Sequence, residues 1–227
     1  MDHPKQAQRI QTSVINGVER KALVWLANRQ PRWVTSNMLT LVGTLGALLT
    51  GLGFFLTSHG IGWLWLSVAG LVVNWYGDSL DGTLARVRNT QRPIFGYYLD
   101  HTIDCVNEAL MFIGAGLSPL VHLDLALAVF ILYLFMTINV SINAHLKSEF
   151  RLTYAKLGPT EFRILIALAC MVVMLFPSLA SVAVAAGSQS FTFLDLLTML
   201  LIVLLTVIYI CTIASDAHKY SKIDPRK

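Results

Sequence analysis

The sequence predicts an all-α integral membrane protein, with six transmembrane helices preceded by an N-terminal amphipathic interfacial helix. Two observations support this fold class. The chain of 227 residues is 55% hydrophobic and only 13% charged, and six apolar stretches approach the roughly 20 residues that a helix needs to cross a bilayer. They cover residues 38–57, 61–76, 97–117, 125–146, 162–185 and 193–214. The second stretch is short and reaches the required length only if its helix continues into the polar residues after it.

The first element is an arm, residues 1–35, that is predicted to lie on the cytoplasmic face of the membrane. Its apolar side chains recur at helical spacing with basic residues between them, which is typical of a helix lying in the interface. The apolar residues are Ile10, Val14, Val18, Ala22, Trp25 and Leu26. Trp33 is expected to anchor the end of the arm at the interface. A solvated helical arm is the alternative.

The six spans form a predicted membrane domain, residues 36–216, followed by a basic tail, residues 217–227. All 17 Lys and Arg residues lie in the arm, in the second and fourth loops and in the tail. Because cytoplasmic loops are enriched in Lys and Arg, we expect both termini and these two loops in the cytoplasm. We expect a multi-pass protein of a prokaryotic cytoplasmic membrane. The net charge of +4 follows from this topology, so no nucleic-acid partner is expected.

Four aspartates lie where the second span ends and the third begins. Asp78 and Asp81 are three residues apart, and Asp100 and Asp104 are four apart. These are the spacings of one helix face. At about 1.5 Å of rise per residue, all four lie roughly 20 to 30 Å from the outer ends of their helices, at the edge of the inner leaflet. A carboxylate in hydrocarbon costs several kcal/mol, so we expect the group to have a function.

Four carboxylates that meet at one point require cations to neutralise them. Oxygen ligands favour Mg²⁺, Mn²⁺ or Ca²⁺ over zinc or copper, and a pair of divalent ions is an arrangement used for transfer at phosphorus. Gly82 and Ala85 keep the same helix face small, and the guanidinium of Arg86 suits phosphate oxygens. These residues predict a site for a metal-bound polyphosphate. A divalent-cation transporter is the remote alternative, although its site would be expected near the bilayer midplane.

The motif around the aspartates resembles the signature of the CDP-alcohol phosphotransferase family at all of its fixed positions. It reads Asp78-x2-Asp81-Gly82-x2-Ala85-Arg86-x9-Gly96-x3-Asp100-x3-Asp104. The stretch SNMLTLVG, residues 36–43, is similar to the family's entry into its first span, where an Asn and a Thr line the nucleotide site. These would be Asn37 and Thr40, with Ser36 in place of the family's usual Pro.

The resemblance implies a phospholipid-synthesising transferase that depends on Mg²⁺ or Mn²⁺. A CDP-linked donor would bind, an alcohol acceptor would attack its phosphorus, and CMP would leave; one of the two substrates would be a membrane lipid. The resemblance makes all four aspartates metal ligands, with Asp104 also a candidate general base. It places Gly82, Ala85 and Arg86 at the CDP-linked donor and implies a homodimer.

The direction of transfer stays open. His101 and Glu161, the latter in GPTEFR at residues 158–163, resemble the choline/ethanolamine phosphotransferase type, in which a Glu orients a His that deprotonates the acceptor. An interfacial histidine and a first-turn helix carboxylate are the alternatives. The opposite direction joins CDP-diacylglycerol to a small polar alcohol. Lys147, Arg151 and Arg163 would then bind a phosphorylated acceptor, although they also fit cytoplasmic loop charges.

Overall fold

The computed structural model describes residues 8–10, 16–147, 149–151, 158–186 and 189–225. The helices in these ranges are α1 (Asn16–Arg29), α2 (Ser36–Phe55), α3 (Leu64–Val87), α4 (Pro93–Gly116), α5 (Leu123–Lys147), α6 (Pro159–Leu175) and α7 (Phe193–Ile223). Short 3₁₀ turns cover Leu56–His59, Ile61–Trp63 and Pro177–Ser181. Strand β1 (Gln8–Ile10) runs parallel to β2 (Glu149–Arg151), and β3 (Ala183–Ala186) runs antiparallel to β4 (Gln189–Thr192).

The predicted all-α fold class is confirmed, and a long helix lies at each of the six predicted spans. Among the described residues, three segments have both the length and the composition of a membrane-crossing helix: Ser36–His59, Leu123–Leu146 and Phe193–Ile223. The full set of six spans stays a prediction. Helix α3 does continue through Asp78 and Asp81, as the short second stretch required.

Helices α2 and α3 pack with their backbones in direct contact because glycines line the seam between them. An added Cβ on Gly77 would fall on the backbone of Gly43, and one on Gly46 would fall on the backbone of Asn74. The side chain of Asn74 donates from Nδ2 to the carbonyl oxygen of Gly43 at 2.9 Å. Small residues permit this approach where lipid supplies no hydrophobic force between helices. The seam brings the start of α2 alongside the part of α3 that carries the aspartates.

Helix α4 packs on α2 through a second pair of glycines. An added Cβ on Gly114 would fall on the backbone of Gly51. The chain reverses between α3 and α4 at Asn89, which has a left-handed φ of 54°, a conformation that asparagine tolerates better than most residues. Pro93 then opens α4 in the first helical turn, where its missing N–H is not needed. Helix α2 therefore contacts both helices that carry the aspartates.

Helix α1 packs on α3 with a face that shares Leu26 with the predicted apolar stripe but is centred on other residues. Leu23 and Ala27 are buried in a cluster that includes Leu80 of α3. Val18 and Trp25, which were expected in the apolar stripe, are 74% and 54% exposed. Two further members of that stripe precede α1 in the sequence. Ile10 lies in β1, and Val14 lies outside the described residues.

Glu19 explains how α1 is rotated. Its Oε1 accepts hydrogen bonds from Trp75 Nε1 at 2.8 Å and from Thr160 Oγ1 at 2.6 Å. Because a buried carboxylate is costly without partners, these two donors from α3 and α6 hold Glu19 inward. Leu23 and Ala27 follow at the next two turns of the same helix face. This face of α1 is packed, and the interfacial position of the arm stays a prediction.

Two helix ends differ from the predicted spans. Helix α6 ends at Leu175 rather than near residue 185, because Pro177 disfavours the helical conformation in the residue before it. Helix α7 continues to Ile223, so the tail predicted at residues 217–227 is helical as far as that residue. The extension is tied to α5, since Tyr220 Oη donates to Asn143 Oδ1 at 2.7 Å.

Candidate active site

A cavity of about 1640 Å³ lies between the described helices. Its wall contains most of the predicted site residues: Asn37, Thr40, Asp78, Asp81, Gly82, Ala85, Arg86, Asp100, His101, Asp104 and Arg163. They come from α2, α3, α4 and α6, so residues far apart in the sequence converge on one space. Another part of the wall consists of apolar side chains from α5 and α7.

Three aspartates form a compact group at this cavity, here called the aspartate cluster: Asp78, Asp100 and Asp104. One carboxylate oxygen from each lies within 4.8 Å of the other two. Asp100 and Asp104 are one turn apart on α4, and Asp78 faces them from α3. Oxygen donors with this much negative charge fit a hard divalent cation such as Mg²⁺ or Mn²⁺.

Asp81, the fourth predicted ligand, lies beside the aspartate cluster and is held by its neighbours. Its Oδ2 accepts a hydrogen bond from Thr40 Oγ1 at 2.7 Å, and the backbone N–H of Gly82 donates to its Oδ1. The residue is 8% exposed. Three of the four predicted ligands are thus brought together, while Thr40 fixes the orientation of the fourth. A role for Asp81 as a ligand stays a prediction.

Arg163 reaches the aspartate cluster from α6. Its Nη2 lies 2.5 Å from Asp78 Oδ2, and the two side chains are 14% and 20% exposed. It also interacts electrostatically with Asp104. Arg163 is therefore a counterion of the cluster in this structure, and its contact with the acceptor stays a prediction. The backbones of Lys147 and Arg151 lie at the end of α5 and in β2.

The face of α3 beyond Asp81 is open at Gly82 and carries only a methyl group at Ala85. An added Cβ on Gly82 would meet only Nη1 of Arg86, at 3.5 Å. Arg86 is in turn held by Thr83, whose Oγ1 accepts from Nη2 at 2.9 Å. Asn37, in the first turn of α2, lines the same cavity. This face can therefore receive a planar group next to an oriented guanidinium.

A family model described as CDP-alcohol phosphatidyltransferase matches residues 33–208, which is most of the chain. This protein belongs to the CDP-alcohol phosphatidyltransferase family. The matched range contains the whole aspartate cluster, Asp81 and Arg163.

Several curated proteins are similar to this family member over shorter segments. Archaetidylinositol phosphate synthase of Pyrococcus horikoshii is 35% identical over 91 residues, covering 40% of this chain and 45% of the relative. Phosphatidylinositol phosphate synthase of Cutibacterium acnes is 37% identical over 86 residues, covering 37% and 38%. Cholinephosphotransferase 1 of Gallus gallus is 30% identical over 100 residues, covering 41% and 30%. The matched part is less than half the length of each relative.

His101 lies at the aspartate cluster of this CDP-alcohol phosphatidyltransferase family member. Its Nδ1 is 3.0 Å from the carbonyl oxygen of Tyr97 and 3.8 Å from Asp100 Oδ2, and its ring stacks on that of Tyr97. Glu161 is 8% exposed. Its Oε2 accepts from the backbone N–H of Gly158 at 3.0 Å and so caps α6. The pairing of His101 with Glu161 stays a prediction.

Glu108 is a further acidic residue on the cavity wall that was not among the predicted site residues. It follows Asp104 by four residues and extends the face that carries Asp100 and Asp104. Glu108 is 9% exposed, and its Oε2 has no hydrogen-bond partner among the described residues. The signal was present in the sequence, because the spacing that joins Asp100 to Asp104 also joins Asp104 to Glu108.

Proposed function

We propose that this protein transfers a substituted phosphate group from a CDP-linked donor to an alcohol acceptor and releases CMP. The observation that carries the proposal is the aspartate cluster, within a matching family motif, on a cavity large enough for both substrates. One substrate is a membrane lipid, so the product is a phospholipid. The apolar part of the cavity wall and the three apolar helices support access from the bilayer.

The metal in this proposal is Mg²⁺ or Mn²⁺, held as a pair of ions by Asp78, Asp81, Asp100 and Asp104. Such ions neutralise the pyrophosphate and make the phosphorus easier to attack. Thr40 keeps one oxygen of Asp81 fixed, and Arg163 limits the repulsion within the aspartate cluster. The protein residues thus orient the carboxylates before substrate arrives, which lowers the cost of reaching the reactive geometry.

The CDP-linked donor occupies the open face of α3. Gly82 and Ala85 admit the cytidine, with Asn37 and Thr40 on the facing helix α2. Arg86 contributes positive charge beside the phosphates, and its contact with Thr83 fixes the direction of its guanidinium.

Two residues are candidates for the base that takes the proton of the acceptor hydroxyl. Asp104 lies within the aspartate cluster. His101 lies at its edge, where Glu161 would act only by orienting the imidazole. Lys147, Arg151 and Arg163 are the candidate contacts for a phosphorylated acceptor, although Arg163 is committed to Asp78 in this structure.

Either direction of lipid transfer fits the relatives, which are named for inositol phosphate lipids and for choline. We propose a multi-pass topology with six spans, and with both termini and the mouth of the active site in the cytoplasm. A homodimer in a prokaryotic cytoplasmic membrane is part of the same proposal.

The proposal is tested with purified protein in lipid nanodiscs and Mn²⁺. One arm supplies CDP-diacylglycerol with small alcohols, and the other supplies CDP-choline or CDP-ethanolamine with diacylglycerol. We expect CMP and a phospholipid in equal amounts from at least one pair, and none after EDTA. Absence of CMP from every pair would reject the proposal, whereas CMP without a lipid product would indicate hydrolysis.

A further inference from the structure

Two buried oxygen atoms lie on the cavity wall one helical turn beyond the aspartate cluster. They are Oε2 of Glu108 and Oδ1 of Asn107, and neither has a hydrogen-bond partner among the described residues. Glu108 is 9% exposed and Asn107 is 4% exposed. Both residues line the same cavity as Asp104. Buried polar atoms are nearly always paired in folded proteins, so two neighbouring exceptions point to a ligand that donates hydrogen bonds.

The charge around these atoms favours a cationic donor. Glu108 interacts electrostatically with Asp78 and Arg163, and the Nη2 of Arg163 is already bonded to Asp78 at 2.5 Å. One guanidinium therefore faces several carboxylates at this end of the cavity. A phosphorylated alcohol would bring more negative charge to Glu108, whereas an ammonium group would offset it.

The distance between Asp104 and Glu108 along α4 also suits a small amino-alcohol. Four residues separate Asp104 from Glu108, which corresponds to about 6 Å along the helix axis. An alcohol with an amine two carbons from its hydroxyl oxygen can place the oxygen at the aspartate cluster and the amine near Glu108. The three cluster oxygens that lie close together come from Asp78, Asp100 and Asp104, so Glu108 is better placed to contact substrate than to complete that set.

We propose that Glu108 and Asn107 form a headgroup pocket that selects an alcohol carrying a protonated amine. This inference rests on the proposed function and specifies its substrate class. The amino-alcohol enters either free, as the acceptor, or as the CDP-linked donor; in both cases its N–H groups donate to the two orphaned oxygens. A quaternary ammonium has no N–H and binds more weakly in this pocket. The amine itself takes no part in bond making or breaking.

The test compares substrates in the nanodisc assay with Mn²⁺. With CDP-diacylglycerol, the acceptors are ethanolamine, serine, choline, glycerol 3-phosphate and inositol 1-phosphate. With diacylglycerol, the donors are CDP-ethanolamine and CDP-choline. We expect kcat/KM for the best primary-amine substrate to exceed that for every phosphorylated alcohol and every choline substrate by about tenfold or more. The arm that turns over identifies whether the amine arrives free or linked to CDP.

The isosteric change Glu108→Gln separates recognition from a merely structural role. We expect the KM of the amine substrate to rise about tenfold or more and kcat to change by less than about threefold, because the carboxylate contacts the headgroup in the ground state. The KM of the second substrate should stay the same. Asp124→Asn is the matched control, since Asp124 is an exposed acid at the start of α5, and it should change neither constant.

Two further measurements test whether Glu108→Gln changes metal binding or folding stability instead of headgroup binding. Mn²⁺ binding, followed by electron paramagnetic resonance, should be the same in Glu108→Gln and in the unmodified protein; parallel loss of Mn²⁺ would make Glu108 a metal ligand and overturn the inference. The thermal midpoint of the substrate-free variant should not fall, because the change replaces a buried carboxylate whose Oε2 has no hydrogen-bond partner among the described residues. Preference for a phosphorylated alcohol or for choline would reject this inference alone. No CMP from any pair would reject the proposed function as well.

Discussion

At the scale of single residues, the site is held by contacts that come from outside the aspartates themselves. Asp81 is oriented by Thr40, and Asp78 is paired with Arg163. Both partners lie on other helices, α2 and α6, so each carboxylate is positioned by a different element. A carboxylate fixed in this way needs less rearrangement when it takes a ligand, which is the usual advantage of a preorganised site.

Thr40→Val should therefore lower activity without removing a ligand. The change keeps the shape of the side chain but deletes the hydroxyl that donates to Asp81, and the loss of one hydrogen bond to a charged group corresponds to about tenfold or more in kcat/KM. Thr44→Val is the matched control. Its hydroxyl, one turn further along α2, donates only to the backbone carbonyl of Thr40 at 3.2 Å. Equal activity of the two variants would show that the Thr40 contact is dispensable.

His101 and Glu161 can be tested as a pair. If Glu161 orients His101 as the base, His101→Ala and Glu161→Gln should each lower kcat, and the double variant should cost little more than His101→Ala alone. The part of the pH dependence of the rate that comes from the imidazole should also vanish in His101→Ala. If Glu161 only caps α6, Glu161→Gln should keep full activity, because an amide oxygen can still accept from Gly158. That result, with an unchanged pH profile in His101→Ala, would leave Asp104 as the base.

At the scale of elements, the glycine seam between α2 and α3 decides how closely Asn37 and Thr40 of α2 approach Asp78 and Asp81 of α3. The backbone contact of Gly77 with Gly43 lies one residue from Asp78. Any side chain there has to separate two helices whose own hydrogen bonds leave little freedom to move.

Gly77→Ala should therefore reduce both stability and activity. The added methyl group overlaps backbone atoms that cannot rotate away, and overpacking of this kind costs about 1–3 kcal/mol. Thermal unfolding in detergent and CMP release measure the two effects. Gly62→Ala is the control, since an added Cβ there meets no atom within 4 Å. A Gly77→Ala protein as stable and active as this control would contradict the packing of the seam.

The helices that carry the aspartates could be predicted from the sequence because the signals for them come from residues close together in the chain. Spacings of three and four residues place side chains on one helix face, and Pro177 could have marked the end of α6. The rotation of α1 could not be predicted, since the partners of Glu19 come from α3 and α6. The same holds for Arg163, whose position in the aspartate cluster depends on how α6 meets α3. Burial of Asp195, fully enclosed and bonded to His122, likewise depends on tertiary contacts.

At the scale of the whole molecule, the family match, the apolar helices and the cavity identify a membrane protein whose site is built from four helices. Asp78 and Asp81 lie in the second half of α3, and Asp100 and Asp104 lie in the first half of α4, so all four are on the side of the helix pair that is nearer to the turn at Asn89. The metal-binding carboxylates proposed for α3 and α4 are therefore nearer to one side of the membrane than to the other. Which side of the membrane this is decides how a soluble substrate reaches them.

The proposed topology places the turn between α3 and α4 in the cytoplasm. Single cysteines at Ser58 and Asn89, in a background that lacks Cys105, Cys170 and Cys211, should report opposite sides. An impermeant maleimide should label the Ser58 site in intact cells, and the Asn89 site only after permeabilisation. The reverse pattern would place the active site on the outer face and overturn the assignment from Lys and Arg.

Metal dependence at the aspartate cluster tests the central claim most directly. Asp78→Asn, Asp81→Asn, Asp100→Asn and Asp104→Asn would be assayed for CMP release with Mn²⁺, beside the Asp124→Asn control and an EDTA-treated sample. We predict that each cluster variant and the Asp81 variant lose about 99% of activity or more, equivalent to roughly 3 kcal/mol of barrier. The control should keep full activity, and EDTA should abolish it until Mn²⁺ is restored. Full turnover in EDTA, or in any two of the four variants, would contradict a metal-dependent transfer at this site.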